Sequence, residues 1–476
     1  MRLLSLIFVT LLSAGTALAQ SVVDNSAKSP SSSSTTSSAP PAAYGYIPFA
    51  GSSQDAEGMD SSNPNTPWLP VLINGETPTP AFSGELERGN QISGGMTVAS
   101  GYDDNALSQN GRQIGNTSFT FLPTLSWQQS RPRSLVDFNY SPGFTVNQRL
   151  SELNSSTQDA GLNAQFRLTE YSTLRIHDAF AVTNNGWAST SSDIPGSVLH
   201  QPNQSVLTPL ARIMSNQAGA DLLQRVGTGT ILGGSGSYSL LNYSNVQGGP
   251  GVQLIDTRTV GAEIFYLHRF LPRHWIGVTY GFERFTFNGG VEDTQSHSAL
   301  LFDTITIQPH LTLSLFVGAT HSHTDGFVTI GRSSTFVPST PTQWSPDTGA
   351  VLSWEGEHNS LAATVSRRVD SGGGILGTVD RLSVSAVLRR QLRPHWSGTI
   401  SFGYDDNNPV DGAQFGYRTV SGIVSVQRQI RRDMTIAASY ARVHQSYGVV
   451  IPTQLFPDHN RALLSISYSF NRPLGR

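Results

Sequence analysis

The pentapeptide Gly-Tyr-Asp-Asp-Asn occurs twice, at Gly101–Asn105 and at Gly403–Asn407. Adjacent carboxylates beside an amide are material for an oxygen-rich cation site or an acid/base pair. A Ca2+ site needs roughly six to eight oxygens, so the two copies would have to meet to make one. Asp and Asn also hydrogen-bond their own backbone in turns. Each copy follows an alternating segment and precedes a polar loop, so both are read as strand terminators. His321, His323 and Asp325 form the other metal-like stretch, HSHTD. On a strand they share one face, which could offer two imidazoles and a carboxylate. That face already carries Leu311, Leu313, Leu315, Val317 and Ala319, so the ligands would extend an apolar row. No metal site and no cofactor is predicted. There is no GxSxG, HExxH or Walker pattern, so no catalytic residue is assigned and an enzyme is not expected.

The elements that carry these residues are strands. In Arg381–Asn407, Leu382, Val384, Ala386 and Leu388 fall on one face, and Ser383, Ser385, Val387 and Arg389 on the other. After LRPH the alternation resumes, with Trp396, Gly398, Ile400, Phe402 and Tyr404 on one side. Val260–Phe285, His297–Thr320 and Thr419–Val443 repeat the unit, with LPRHW, IQPHL and IRRDM at the place of LRPHW. The last segment alternates Ala462, Leu464, Ile466, Tyr468 and Phe470 with Leu463, Ser465, Ser467 and Ser469. About 18 such strands (16–18) start near residue 90, each near the 9–11 residues a transmembrane β-strand needs. The strands come in pairs with short turns at one end and longer loops at the other. The predicted fold is all-β, a transmembrane up-and-down antiparallel β-barrel.

Composition agrees. Charged residues are 13% and hydrophobic residues 37%, too few of either for an ordinary soluble domain with a dry core. A sheet with one face in lipid and the other in water suits these values. A formal net charge of −3 points to no nucleic-acid partner, and with no cysteine there is no disulfide frame or thiolate site. Residues 1–19 read as a signal peptide, with Arg2, an apolar run over Leu3–Leu12 and an Ala17-Leu18-Ala19 cleavage site. Residues 20–89 read as a Ser/Pro-rich, disordered periplasmic tail, and 90–476 as the outer-membrane barrel. Within the tail, Trp68, Leu69, Val71, Leu72 and Ile73 leave two options open: a floppy linker, or a plug docked in the barrel mouth.

Trp127, Trp275 and Trp396 beside short turns, and Tyr102, Tyr280, Tyr404 and Tyr440 toward the long loops, predict two aromatic girdles. The opposite row predicts a lumen of hydroxyls and amides, with Asp137, Gln165, Arg167, Glu263, Glu283, Glu355 and Arg389 as lining candidates. Asp178 and Asp303 fall in apolar rows, which implies either a slip of register or a place near an interface.

The first strand ending in GYDDN, the repeated strand–turn–strand units and the closing ISYSF (Ile466–Phe470) resemble the β-barrel porins of Gram-negative outer membranes of the "beta-barrel porin 2" type. Some of these are associated with exopolysaccharide export. The resemblance runs from about residue 90 to the end. It implies a channel-like protein of the cell outer membrane and transfers no catalytic residue. Barrels of this general kind often end in an aromatic residue as an assembly signal, whereas here Phe470 is followed by NRPLGR.

The expected function is passive diffusion or export of small hydrophilic solutes or polysaccharide. The alternative is a closed structural or adhesive barrel whose loops at Asn184–Ile213 and Asp325–Ser345 bind surface material. Expected partners are outer-membrane lipid, the barrel-assembly machinery, and polysaccharide or small sugars.

Overall fold

A computed structural model describes residues 89–107, 113–184, 203, 211–244, 254–287, 292–330, 335–339, 342–410, 416–431, 433–447 and 458–473. The expected leader, and the expected tail up to residue 88, lie outside the described residues. So does most of the loop expected at Asn184–Ile213, and part of the one at Asp325–Ser345.

The strands are β1 (Gly89–Asp103), β2 (Asn116–Arg131), β3 (Ser134–Asn147), β4 (Ser155–Arg167), β5 (Ser172–Asn184) and β6 (Arg212–Arg225). There follow β7 (Thr230–Ser244), β8 (Thr257–Leu271), β9 (His274–Phe287), β10 (Glu292–Gln308), β11 (Leu311–Ile330) and β12 (Thr335–Ser339). The last are β13 (Thr342–Glu355), β14 (Asn359–Gly372), β15 (Leu376–Arg393), β16 (Trp396–Pro409), β17 (Tyr417–Arg431), β18 (Met434–Tyr447) and β19 (His459–Pro473). Apart from β12, each pairs antiparallel with the next, β11 pairing with β13, and β1 pairs with β19 over Gln91–Asp103, which closes the sheet on itself. The short β12 pairs only with the far end of β11. Nineteen strands less this one leave eighteen in the ring.

The alternation chooses the faces. On β8, Val260, Ile264 and Tyr266 are exposed outward, while Thr259, Gly261, Glu263, Phe265 and Leu267 turn inward. Register carries the same choice to the neighbours: Ile264 lies opposite Tyr280, and Leu301 opposite Val278 and Val317. The outward row is therefore a continuous apolar band of the kind that faces acyl chains.

The recurrent short turns share one device. In the β8–β9, β10–β11, β15–β16 and β17–β18 hairpins the register shifts by one residue just before the turn, between Arg269 and Leu271, Thr306 and Gln308, Gln391 and Arg393, and Gln429 and Arg431. Each shift is a bulge, an extra residue that tightens the local twist. The extra residues are Phe270, Ile307, Leu392 and Ile430, all large, apolar and exposed. Pro272, Pro309 and Pro394 fit the turns because proline presets φ and has no N–H to satisfy.

The inward row is not uniform. On one side of the ring, inward aromatics lie flat over glycines of the next strand. Phe265 covers Gly233, Phe302 covers Gly277 and Phe316 covers Gly349, each so closely that a Cβ on the glycine would fall 2.1–2.3 Å from a ring carbon. This wall also contains Trp275, which is 3% exposed and faces inward. The expected place of Trp275 in the periplasmic girdle is thus corrected, because His274, not Trp275, begins the outward row of β9. Trp127 and Trp396 lie on the outward row as expected.

Asp178 and Asp303 both stay in the outward register. Asp178 lies mid-strand and accepts a hydrogen bond from Asn216 Nδ2 at 3.0 Å. Asp303 lies toward the short-turn rim, with His274 Nδ1 at 3.5 Å. Each carboxylate on the lipid side has a polar partner, which lowers its desolvation cost.

Candidate functional site

The site is the inner wall and its outer mouth. The ladder register joins inward residues of successive strands into one row: Gln165, Arg175, Asp221, Ser235, Glu263, Gly281, Ser298, Thr320 and Ser345. Within it Ser298 and Thr320 share a hydrogen bond of 2.7 Å, and Thr279 Oγ1 donates to Glu263 Oε1 at 3.1 Å. Arg175 and Asp221 add charges, and His177 an imidazole, that the alternation contained but the sequence reading did not single out. His177 Nδ1 lies 3.5 Å from Asp221 Oδ2.

The seven lining candidates all fall on the inward row. Asp137 lies opposite Gln128 and Asn163, and Gln165 opposite Leu135 and Arg175. Arg167 lies opposite Thr173, at the short-turn end. Glu263 and Glu283 are brought together on adjacent strands, both buried in the wall. Glu355 and Arg389 flank Ser360 near the short-turn rim. The three groups stand apart on the wall and form no single cluster.

The mouth is shaped by the β14–β15 hairpin. β13 pairs with β14 only as far as Arg367, while β14 and β15 run on together to Gly372 and Leu376. Beyond that fork Arg368–Ser371 are nearly fully buried, so the hairpin leans inward. Its tip is Ser371-Gly372-Gly373-Gly374, where Gly373 (φ 59°) and Gly374 (φ 90°) take a left-handed conformation that side chains resist. Tyr243 Oη donates to the Gly373 carbonyl at 2.8 Å, and the Ile255 N–H to the Gly374 carbonyl at 2.8 Å. On the near side Tyr417 Oη donates to the Gly372 carbonyl at 3.2 Å, and Asn203 Nδ2 to the Ser371 carbonyl at 2.7 Å. Thr378 Oγ1 donates to Thr294 Oγ1 at 2.7 Å, and the Thr378 N–H to Glu292 Oε1 at 3.4 Å. The hairpin is rooted between β13 and β16 yet touches β7, the approach to β8, and β10. It therefore crosses the mouth as a chord, screening the β8–β13 wall and leaving the β16–β19 and β1–β5 wall beside the opening. The sequence signal for this element is the triple glycine, which the alternation alone does not interpret.

An ion network anchors the root. Arg381 reaches Asp370 through Nη1 at 3.0 Å and Asp405 through Nη2 at 2.5 Å, and its Nε also reaches Asp405 at 2.9 Å. Arg368 lies over the Phe316 ring, with its Nε 3.8 Å from Asp347 Oδ1. Arg368 and Arg381 are each 1% exposed.

This network settles the role of the second GYDDN. Its strand continues to Pro409, so the motif does not end β16, which corrects the terminator reading. Asp405 points inward to Arg381, and Asp406 points outward to Arg418 at 3.0 Å. The first copy does end β1, and it repeats the split. Asp103 turns inward to His459 Nδ1 at 3.0 Å and Arg461 at 3.4 Å, while Asp104 accepts from the Asn460 N–H at 2.8 Å. Each copy tethers its strand to the neighbouring one. They sit on β1 and β16, and their carboxylates are engaged by separate partners.

His321, His323 and Asp325 occupy the outward row of β11. His321 meets the Trp344 ring, with centroids 4.8 Å apart, and His323 hydrogen-bonds Thr342 Oγ1 at 3.0 Å. Higher on the same exterior, Arg284–Asp293 (2.9 Å) and Arg367–Asp380 (2.8 Å) pair across adjacent strands, as Arg418–Asp406 does. The apolar band thus ends at the long-loop side in tyrosines and then in ion pairs.

A closed ring, an apolar exterior with polar rims and a polar interior belong to one setting. This is an outer-membrane β-barrel. No protein-family model matches the chain, and no curated protein matches it. Among solved structures it is similar to the outer membrane protein OpdK of Pseudomonas aeruginosa, at 14% identity over 82% of this chain and 100% of that one, with a TM-score of 0.40. It is also similar to OpdQ of Pseudomonas aeruginosa, at 12% identity over 81% and 98%, with a TM-score of 0.41. The siderophore receptor PiuA of Acinetobacter baumannii matches at 9% identity over 82% of each chain, with a TM-score of 0.44.

Proposed function

We propose that this barrel is a passive channel for small hydrophilic solutes, narrowed at its outer mouth by the β14–β15 hairpin. The observation that carries the reading is the continuous polar row inside a closed ring of eighteen strands, a size that leaves an aqueous lumen. Hydroxyls, amides and charges of both signs on that row suit weak contact with polar solutes rather than stringent ion selection. In this reading Asp137, Gln165, Arg167, Glu263, Glu283, Glu355 and Arg389 bias which solutes pass, together with Arg175 and Asp221.

The finer assignment, to the "beta-barrel porin 2" type with a role in polysaccharide export, rests on the sequence resemblance. Interaction with the barrel-assembly machinery is part of the same proposal. The tip contacts of the hairpin favour one competing reading, a lumen closed at the mouth in a structural or adhesive barrel. Sugar uptake into proteoliposomes separates the two. A channel admits small sugars and excludes large ones, whereas a closed barrel admits neither.

A further inference from the structure

The arginines on the barrel exterior are treated differently at the two rims. At the long-loop rim Arg284, Arg367 and Arg418 each face an aspartate across the ladder, at 2.9, 2.8 and 3.0 Å. At the short-turn rim Arg390, Arg393, Arg428 and Arg431 stand on the outward face of β15 and β17, all exposed. Among the described residues no ion pair joins any of them to an acid, and Asp433 in the β17–β18 turn pairs with none of them. The register fixes their places. Trp396 lies opposite Arg393 on one side and Arg428 on the other, Arg390 lies opposite Gly398, and Arg431 opposite Met434. Trp396 and Gly398 are on the outward row, so the arginines share their face. The Arg428 guanidinium lies 5.2 Å from the centre of the Trp396 ring.

The bulges complete the patch. Two consecutive residues of a bulged strand oppose one residue of its partner, so Leu392 joins Arg393 on the exterior, and Ile430 joins Arg431. Leu392 lies over Gly398, 3.5 Å from where a Cβ would stand there, and both apolar residues are exposed. Along β16 the row of Trp396 continues as Ile400 and Phe402, part of the acyl-facing band. The patch therefore sits where that band meets the periplasmic interface, the level at which tryptophan gathers. Unpaired cations at the edge of a membrane need a counter-charge, and at this depth the membrane itself offers phosphate.

We infer that the β15–β17 exterior at the periplasmic rim is a binding site for the headgroup of an anionic phospholipid of the periplasmic leaflet. Arg393 and Arg428 are two strand spacings apart, about 10 Å, and close on the phosphodiester from either side of Trp396. A guanidinium matches two phosphate oxygens with two N–H donors. Leu392 and Ile430 lie against the upper acyl chain. Arg390 and Arg431 leave no acid to receive the ammonium of a zwitterionic headgroup, so net negative lipids are selected. The inference needs the barrel in a membrane but not an open lumen, so it stands or falls separately from the channel reading.

The test titrates the full chain, folded in nonionic detergent, with phosphatidylglycerol or with phosphatidylcholine of the same acyl chains. Bound lipid is counted by native mass spectrometry. Phosphatidylglycerol should be retained in clear preference. Near an anionic surface each arginine is worth about fivefold, so Arg393→Gln with Arg428→Gln should weaken phosphatidylglycerol about 25-fold, and Arg393→Gln alone about fivefold. Arg131→Gln with Arg133→Gln removes the same charge from the exposed β2–β3 turn of the same rim and should leave retention nearly unchanged. Equal binding of the two lipids, an equal loss in the two double variants, or displacement of phosphatidylglycerol by equimolar inorganic phosphate overturns the site.

Discussion

Replacing Arg381 tests the anchor of the mouth most sharply. Its guanidinium is 1% exposed and holds Asp370 on the hairpin and Asp405 on the β16 wall, at 3.0 and 2.5 Å. Arg381→Met keeps much of the side-chain volume but leaves two carboxylates buried without their common cation. Removing one partner of a buried pair costs about 3–5 kcal/mol. The loss does not double with two acids, because both contacts share one cation and are not additive. The expected destabilisation is therefore about 3–5 kcal/mol, read from urea unfolding of protein folded in lipid vesicles. The same variant frees the hairpin root, so open-channel noise should increase. Adding Asp370→Asn and Asp405→Asn should restore most of the lost stability, since no unpaired charge remains. A loss below about 1 kcal/mol, the size of an ordinary surface ion pair, together with an unchanged current trace would refute the anchoring argument.

Further expectations probe the faces and the lumen. Ile264→Arg places a cation on the lipid side, where 65% of the residue is exposed, and should cost about 2–4 kcal/mol near mid-bilayer. Ser425→Arg, on the inward row, should leave unfolding nearly unchanged. Gly318→Ala should destabilise the barrel measurably, because its Cβ would sit 2.0 Å from the Ala299 carbonyl oxygen, whereas Gly422→Ala meets nothing within 4 Å and should be neutral. Glu263→Gln with Glu283→Gln should shift the reversal potential in a salt gradient toward weaker cation preference. An unmoved potential would remove these two residues from the solute path.

The period-two rows of Ala462–Phe470 and Leu382–Leu388 made the strands and their faces legible, because lipid and water impose opposite chemistry on alternate residues. The same alternation put Glu263, Arg389 and the other candidates on the inward row. What it could not carry was any long-range arrangement. Nothing local to Ser371–Gly374 says that this turn reaches Tyr243 and Ile255 across the mouth. GYDDN was misread at its second copy because adjacent aspartates suggest a turn, while here a strand sends one to each face. Trp275 was misplaced because His274 holds the place after its turn that Trp396 holds in the β15–β16 hairpin, which makes Trp275 the second residue of β9 and turns it inward. The inward aromatic wall was hidden because Phe265, Trp275 and Phe302 look like ordinary strand formers until their common direction is known.

The central claim is a sheet closed around water. Purified protein inserted into a planar bilayer should give discrete, ohmic current steps that small sugars partially block from solution. Stable insertion with no current above that of the bare membrane would contradict it.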